Sequence, residues 1–258
     1  MATPPTCLAS RLISTAVHIS LPSQLSTTHR GAAFENRSLK ILQNCLSMSL
    51  RCVGGKSDGG IDLLGWWWLP ALDSTTLTIS GSKHQRRRLR VLGQCKAQRK
   101  KPSPNYVREM EGVMHRYMSL PEHSSLTQHD ATSPHDDPPS ISSSQYPLVA
   151  LLISESPFTK ATLLRAQSSP IPFFLLHIPP ISNACETNPP TDDEQEQQNQ
   201  IGTAVWNPAL AGVRGLLGGQ MEIRWERSLN GGGRPGLWWR GQKLESWTPD
   251  AASGEALV

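Results

Sequence analysis

The 258-residue chain has no apolar run that approaches the length of a membrane span; the longest candidates, residues 148–153 and 173–178, are strand-sized. It has no Cys-x-x-Cys pair among its five cysteines (Cys7, Cys45, Cys52, Cys95 and Cys185), and the count is odd. That argues against a disulfide scaffold or a structural zinc site and for a reducing compartment. Residues 1–34 contain no Asp or Glu at all. They carry Arg11 and Arg30, many Ser and Thr, and an apolar cluster at Leu8, Leu12, Ile13, Val17 and Ile19. This is the composition of a mitochondrial presequence, so residues 1–30 are expected to be a targeting segment without a fold of its own. Hydrophobic content is only 37%, and Pro reaches 21 residues, so a real core is diluted by loops. The length suits one domain with tails.

What is present is unevenly distributed. The net charge is +4, yet residues 83–101 hold nine of the 25 basic residues and no acid, which leaves 16 basic against 21 acidic residues elsewhere. A local basic run of this kind suits a surface that faces phosphates, with Arg86, Arg87, Arg88, Lys100 and Lys101 as its expected contacts. The histidines at 115, 123, 129 and 135 match no compact zinc spacing. Gly231, Gly232 and Gly233 lack the frame of a phosphate-binding loop and read as a turn.

Apolar spacing outlines the elements. Residues 33–48 read as a helix, with Phe34, Ile41, Cys45 and Met48 on one stripe and Leu39, Leu42 and Leu46 on another. Glu35 heads the second stripe. Residues 49–55 alternate like a strand, and 56–60 supply a turn in which Asp58 has a local role. The run from Ile61 to Leu69 is a strand apolar on both faces, and its three tryptophans alternate between them, so at least one ring belongs to the core. Residues 71–87 form an insert, and 88–97 the next strand. Ser103 and Pro104 open a helix with the stripe Val107, Met110, Met114 and Tyr117; Glu109 and Glu111 fall on its solvated faces. After a Ser-, Pro- and His-rich loop at 119–145 come a strand (146–153), a helix (159–167) and a strand (171–178). Residues 181–200 are acidic and Gln-rich, a linker by composition. Beyond it, 208–217 reads as helical, and Met221, Ile223 and Trp225 begin an expected hairpin.

One carboxylate, Asp62, interrupts the apolar run, where an unpaired charge is costly. Gln94 and Lys96 are two apart on the strand at 88–97 and share a face. A carboxylate next to a Gln-x-Lys pair has the makings of a site for a divalent cation and an activated water.

These residues also carry a resemblance. Gly54 to Asp62, followed by Gln94-Cys95-Lys96, resembles the D…(E/Q)-x-K core of restriction-endonuclease-like nucleases in its Mrr-type form. Gly31-Ala32-Ala33-Phe34-Glu35 resembles the opening of that group, and Pro157-Phe158-Thr159-Lys160-Ala161 its later helix start. Ile61 to Pro70 and Arg108 to Gly112 are similar to a fungal mitochondrial branch, the "required for respiratory growth" proteins. The resemblance implies an α/β fold in the order α-β-β-β-α-β-α-β, a mixed sheet flanked by helices, over residues 31–180, with a carboxy-terminal extension at 201–258. It implies metal-dependent phosphodiester hydrolysis of nucleic acid, DNA being the expected partner. Asp62, Gln94 and the Cys95 backbone carbonyl would hold Mg²⁺, Lys96 would organise water and phosphate charge, and Glu35 would assist. Gln in place of Glu removes one negative charge and weakens the cation's hold. The alternative is a catalytically inactive protein on the same fold that binds nucleic acid or a protein partner, with Asp62 and Lys96 as a buried ion pair.

Overall fold

The computed structural model describes residues 27–53, 59–72, 86–119, 146–180, 200–227 and 233–249. Helix α1 (Thr27–Leu46) leads into strand β1 (Met48–Cys52), β2 (Leu63–Leu69) and β3 (Arg87–Lys96). Helix α2 (Pro104–Ser119), β4 (Leu148–Ser154), α3 (Lys160–Gln167) and β5 (Phe173–His177) follow, so the order is α-β-β-β-α-β-α-β. Strand β6 (Thr203–Trp206), a short helix α4 (Pro208–Ala211), β7 (Met221–Arg227), β8 (Gly233–Trp239) and β9 (Gln242–Lys243) complete the described residues.

The chain is a mixed α/β protein. Strands β1 to β6 form one sheet in sequence order. The first three are an antiparallel meander, β4 and β5 run parallel to β3, and β6 returns antiparallel on the far edge. The parallel strands are connected through α2 and α3, as parallel neighbours require. Strands β4 and β5 are buried on both faces, which explains why they read as apolar runs and not as alternation; β3 is buried on both faces only at its centre, residues 91–94.

Two cores lie on the two faces of the sheet. On one, Phe34, Ile41 and Leu42 of α1 pack with Leu63, Trp67, Val91, Leu151 and Phe174. Trp67 is fully buried and stacks on Phe174, 5.7 Å between ring centres. On the other, Val107, Met110 and Met114 of α2 pack with Leu64, Leu92, Leu152 and Phe173. The stripes of both helices are legible in the sequence, Phe34, Ile41, Leu42 and Leu46 on α1 and Val107, Met110 and Met114 on α2, because helical period and burial coincide there.

The residues after 200 join the same structure. Beyond β6 in the main sheet, Leu210, Leu217, Met221, Leu237 and Trp239 belong to the α1-side core. Asn207 fastens this segment. Its Nδ2 donates to the carbonyls of Ala166, Ser169 and Ile171, and its Oδ1 accepts from the Phe173 and Leu210 amides. Strand β6 was not expected, because a four-residue strand paired along one edge leaves no alternating pattern. The helix expected at 208–217 ends at Ala211. Gly212 and Gly215 each sit against the carbonyls of that short turn, where a Cβ would lie within 2.6 Å of backbone oxygen. The expected hairpin is present as β7 and β8.

Helix α1 stops at Ser47, whose φ of 56° is the left-handed conformation common just past helix ends. The carboxy-terminal segment holds it there: Ser246 Oγ accepts from the Ser47 amide and donates to the Gln43 carbonyl, and the Trp247 amide donates to Ser47 Oγ. The helix begins at Thr27, so the boundary expected at residue 30 lies inside it. Asp58, most of the insert at 71–87, and the histidines at 123, 129 and 135 lie outside the described residues.

Candidate functional site

The seam between β2 and β3 carries the candidate site. Asp62 directly precedes β2 and keeps backbone bonds to both neighbours: its carbonyl accepts from the Val53 amide and its amide donates to the Gly93 carbonyl, each at 2.9 Å. The ladder pairs Gly93 with Leu63, so the second bond is offset by one residue, as at a bulge. Beyond this offset the β2 backbone no longer reaches β3. The Asp62 carboxylate takes over, and Oδ2 accepts the Cys95 amide N–H at 2.6 Å. A strand residue's N–H and C=O point to the same edge, so the Cys95 carbonyl also faces this seam. Gly59 and Gly60, with φ of +66° and +87°, turn the chain into Asp62. The positive φ of Gly60 is what favours glycine there; a Cβ would make only ordinary contact, 3.7 Å from Gln94 Nε2.

Gln94 and Lys96 point to one face of β3, and Cys95 between them points to the other. Gln94 lies beneath α2, near Val113, and is only 6% exposed. Its Oε1 is buried and has no hydrogen-bond partner among the described residues. Lys96 reaches the same side, with Nζ 5.0 Å from the ring centre of Tyr106 in α2. The Cys95 side chain packs instead into the core on the α1 side. Burial pushes its thiol well above the ordinary range, the negative charges of Asp62 and then Glu35 add to this, and a hydrogen bond with Ser38 opposes it. Burial, Glu35 and Asp62 likewise raise the Cys52 thiol. Glu35 and Asp62 therefore act on one pair of thiols. The structure brings Asp62 onto the Gln94–Lys96 backbone, places Gln94 and Lys96 together, and sets Glu35 on the opposite side of β3.

The donors are oxygens: the Asp62 carboxylate, the Cys95 carbonyl and the unsatisfied Gln94 Oε1. Such a set fits a hard divalent cation. Among the described residues no group of three or more His, Cys, Asp and Glu is placed to hold a metal. Any cation here would therefore depend on Asp62 with amide oxygens.

Sequence reasoning missed Glu155, at the end of β4. Its amide donates to the Lys96 carbonyl at 3.1 Å, and its carboxylate pairs with Arg30 of α1. Arg37, whose pKa burial lowers and Glu155 raises, donates to the Pro179 carbonyl nearby. Only the parallel pairing of β3 and β4 places this group beside Lys96, so no local signal reveals it. Glu111 pairs with Arg165 and accepts from Ser169 Oγ, a tie between α2 and α3.

The basic run divides. Arg87 donates to the Leu216 carbonyl on the α1 side at 2.8 Å. Arg86 lies over the Trp247 ring, and Arg88 stacks between Trp66 and Tyr146. Lys100 and Lys101 are exposed in the loop after β3.

A family model described as Required for respiratory growth protein 7 matches residues 26–127. This span takes in α1, β1 to β3 and α2, hence the whole candidate seam. An uncharacterised mitochondrial protein of Schizosaccharomyces pombe is 30% identical over 112 residues, which is 42% of this chain and 39% of that protein. The match thus spans about two fifths of the curated relative's length. Both findings are likenesses to the respiratory-growth family and to a mitochondrial protein over part of the chain. The mitochondrial localisation expected from the acid-free amino terminus agrees with them. No solved structure matches the chain. No helix among the described residues is long and apolar enough to cross a membrane.

Proposed function

We propose that this is a mitochondrial protein serving respiratory growth, built on a restriction-endonuclease-like core, that hydrolyses phosphodiester bonds of nucleic acid with a divalent cation. One observation carries the reading: the Asp62 carboxylate is held at the Cys95 amide where β2 leaves β3, one residue along from Gln94, whose buried Oε1 has no hydrogen-bond partner among the described residues. Asp62, the Cys95 carbonyl and Gln94 would hold Mg²⁺. A bound cation would polarise the phosphate and lower the pKa of a water. Lys96, on the Gln94 face, supplies a positive charge for the phosphate. Glu35, across the strand, tunes the seam by its charge and does not touch the reacting atoms. The element order and the family match over residues 26–127 support the same reading.

A second reading has its own observation. Asp62 Oδ2 completes a backbone ladder, and Glu35 is on the other side of β3 from Gln94 and Lys96. An acid used in this way suits a nuclease fold that binds nucleic acid or a partner without cutting. Incubating the purified full chain with DNA and RNA in Mg²⁺ or Mn²⁺ separates the two. Cleavage that Asp62→Asn abolishes supports hydrolysis; a folded wild type that binds no divalent cation and cuts nothing leaves the binding reading.

A further inference from the structure

Away from the seam, the α2-side face of β1–β3 carries a second cluster of side chains. Strand register sets Trp66 across from Arg90, Trp68 across from Arg88, and Arg51 across from Leu64. Residues directly opposite on paired strands share a face, so Arg51, Trp66, Arg88 and Arg90 all lie on the α2 side. There they interleave. The Arg90 guanidinium carbon is 4.7 Å from the Trp66 ring centre, and that of Arg88 is 4.6 Å from Trp66 and 4.4 Å from Tyr146. Tyr146 meets Trp66 edge-on at 4.8 Å and accepts a hydrogen bond from Arg88.

Three guanidiniums held this close repel one another. Strand geometry puts Arg88 and Arg90 roughly 7 Å apart along β3, within a Debye length, while Arg51, across two strands from Leu92, has its backbone about 12 Å from that of Arg90 and about 17 Å from that of Arg88. Burial, set against a bond to Tyr117, lowers the Arg90 pKa, and the charges of Arg51 and Arg88 lower it further. Among the described residues no carboxylate forms an ion pair with any of the three. Positive charge is thus concentrated here, among the described residues, without a paired carboxylate. Stacking on aromatic rings orients a guanidinium while leaving most of its N–H edge available for oxygen acceptors. Tyr146 itself remains 40% exposed at the rim.

We propose that Arg51, Arg88 and Arg90, shelved on Trp66 and Tyr146, bind single-stranded nucleic acid, with phosphates on the guanidinium edges and a base against Tyr146. The choice of polymer rests on the reading of the chain as a nucleic-acid enzyme or binder; the anion site itself stands on the charge and the stacking. Interleaved cations and aromatic rings are what single strands require: charge that follows the backbone and flat surfaces for bases. This relocates the phosphate contacts expected from the basic run. Arg87 is committed to Leu216, while Arg51 and Arg90, outside the expected set, take part.

The test is fluorescence anisotropy of the full chain with a labelled single-stranded oligonucleotide, in EDTA so that hydrolysis is off, over about 50–200 mM salt. Changing Arg51, Arg88 and Arg90 together to Gln should weaken binding at least tenfold and reduce the log–log salt slope by about 2, at roughly 0.7 for each lost single-strand phosphate. Arg51→Gln alone, at an exposed position, should cost about 0.7 of slope without lowering the melting temperature. An unchanged slope in folded variants, no binding by the wild type, or tighter binding of duplex overturns the assignment. So does a loss of binding to anionic phospholipid vesicles with oligonucleotide binding intact. A strand bound through these arginines but never cut in Mg²⁺ removes the hydrolysis reading alone; cutting with an unaltered slope removes this one alone.

Discussion

Asp62 Oδ2 accepts the Cys95 amide at 2.6 Å and so extends the β2–β3 ladder by one bond with a side chain. A hydrogen bond to a charged group contributes about 1.5–3 kcal/mol, so Asp62→Ala should lower unfolding free energy by that order in denaturant titrations. Asp62→Asn keeps an acceptor oxygen and should cost less. If the seam also holds a cation, Asn should lower cleavage by at least about a hundredfold while the protein remains folded. Equal losses of stability and activity would assign Asp62 to the fold alone.

Lys96 extends over Tyr106, and its removal tests chemistry with little cost in packing. Lys96→Met keeps most of the side-chain volume. It should leave the melting temperature within a few degrees and divalent-cation affinity largely intact, while cleavage falls by about a hundredfold. Unchanged cleavage would take Lys96 out of the proposed site.

Asn207 is 1% exposed and makes hydrogen bonds to five backbone groups of α3, α4, β5 and the loop before β5. Asn207→Ala takes the side-chain partner from the Phe173 amide and from the Ser169 and Ile171 carbonyls, while the Leu210 amide keeps the Asn207 carbonyl and the Ala166 carbonyl keeps the Ser169 amide. At about 1–3 kcal/mol for each buried group left unpaired, with some regained through water, the loss should reach at least about 3 kcal/mol. Asn207→Asp should also destabilise, because it cannot donate to the carbonyls of Ala166, Ser169 and Ile171. A loss below about 1 kcal/mol would mean that the segment after residue 200 is not fastened here.

Trp67 is fully buried against Phe174, yet its Nε1 has no acceptor. Trp67→Ala should cost about 3–5 kcal/mol. Trp67→Phe loses volume but also removes the unpaired donor, so thermal melts should show it well under half as damaging.

The Cys95 thiol predicts alkaline sensitivity. Burial raises its pKa first, and Asp62 and Glu35 raise it further above the ordinary 9.0. Below that value the thiol is protonated in folded and unfolded chains alike, and the group is neutral toward stability. Above it the unfolded chain loses the proton that the folded chain keeps, so stability falls as pH rises. Melting temperatures between about pH 8 and 10 should decline, and Cys95→Ala should flatten the decline. A flat profile in the wild type would show that the thiol ionises freely in the fold.

Much of the core could be read without coordinates. The α2 stripe, the three meander strands and the strand–helix–strand run through β4, α3 and β5 announce themselves, because local period and flanking turn residues depend on neighbours in the chain. The position of Asp62 next to the Gln94–Lys96 segment was legible for the same reason: one charge in an apolar strand needs a partner on an adjacent strand. Strand β6 was not legible, since four residues on a sheet edge owe their conformation to the strand they pair with.

The sequence by itself determined the order of the elements through β5, the alternation of Trp66, Trp67 and Trp68, and the shared face of Gln94 and Lys96. Each follows from the covalent spacing of side chains along a helix or strand. Only the tertiary structure decided which helix covers which face. That choice put Glu35 with the Cys95 thiol and Gln94 with α2, and set Glu155 next to Lys96. It also split the arginine run, one member on a carbonyl and its neighbours on aromatic rings. Which side chains meet across a sheet depends on pairing and packing between residues far apart in the chain, and no local pattern encodes that.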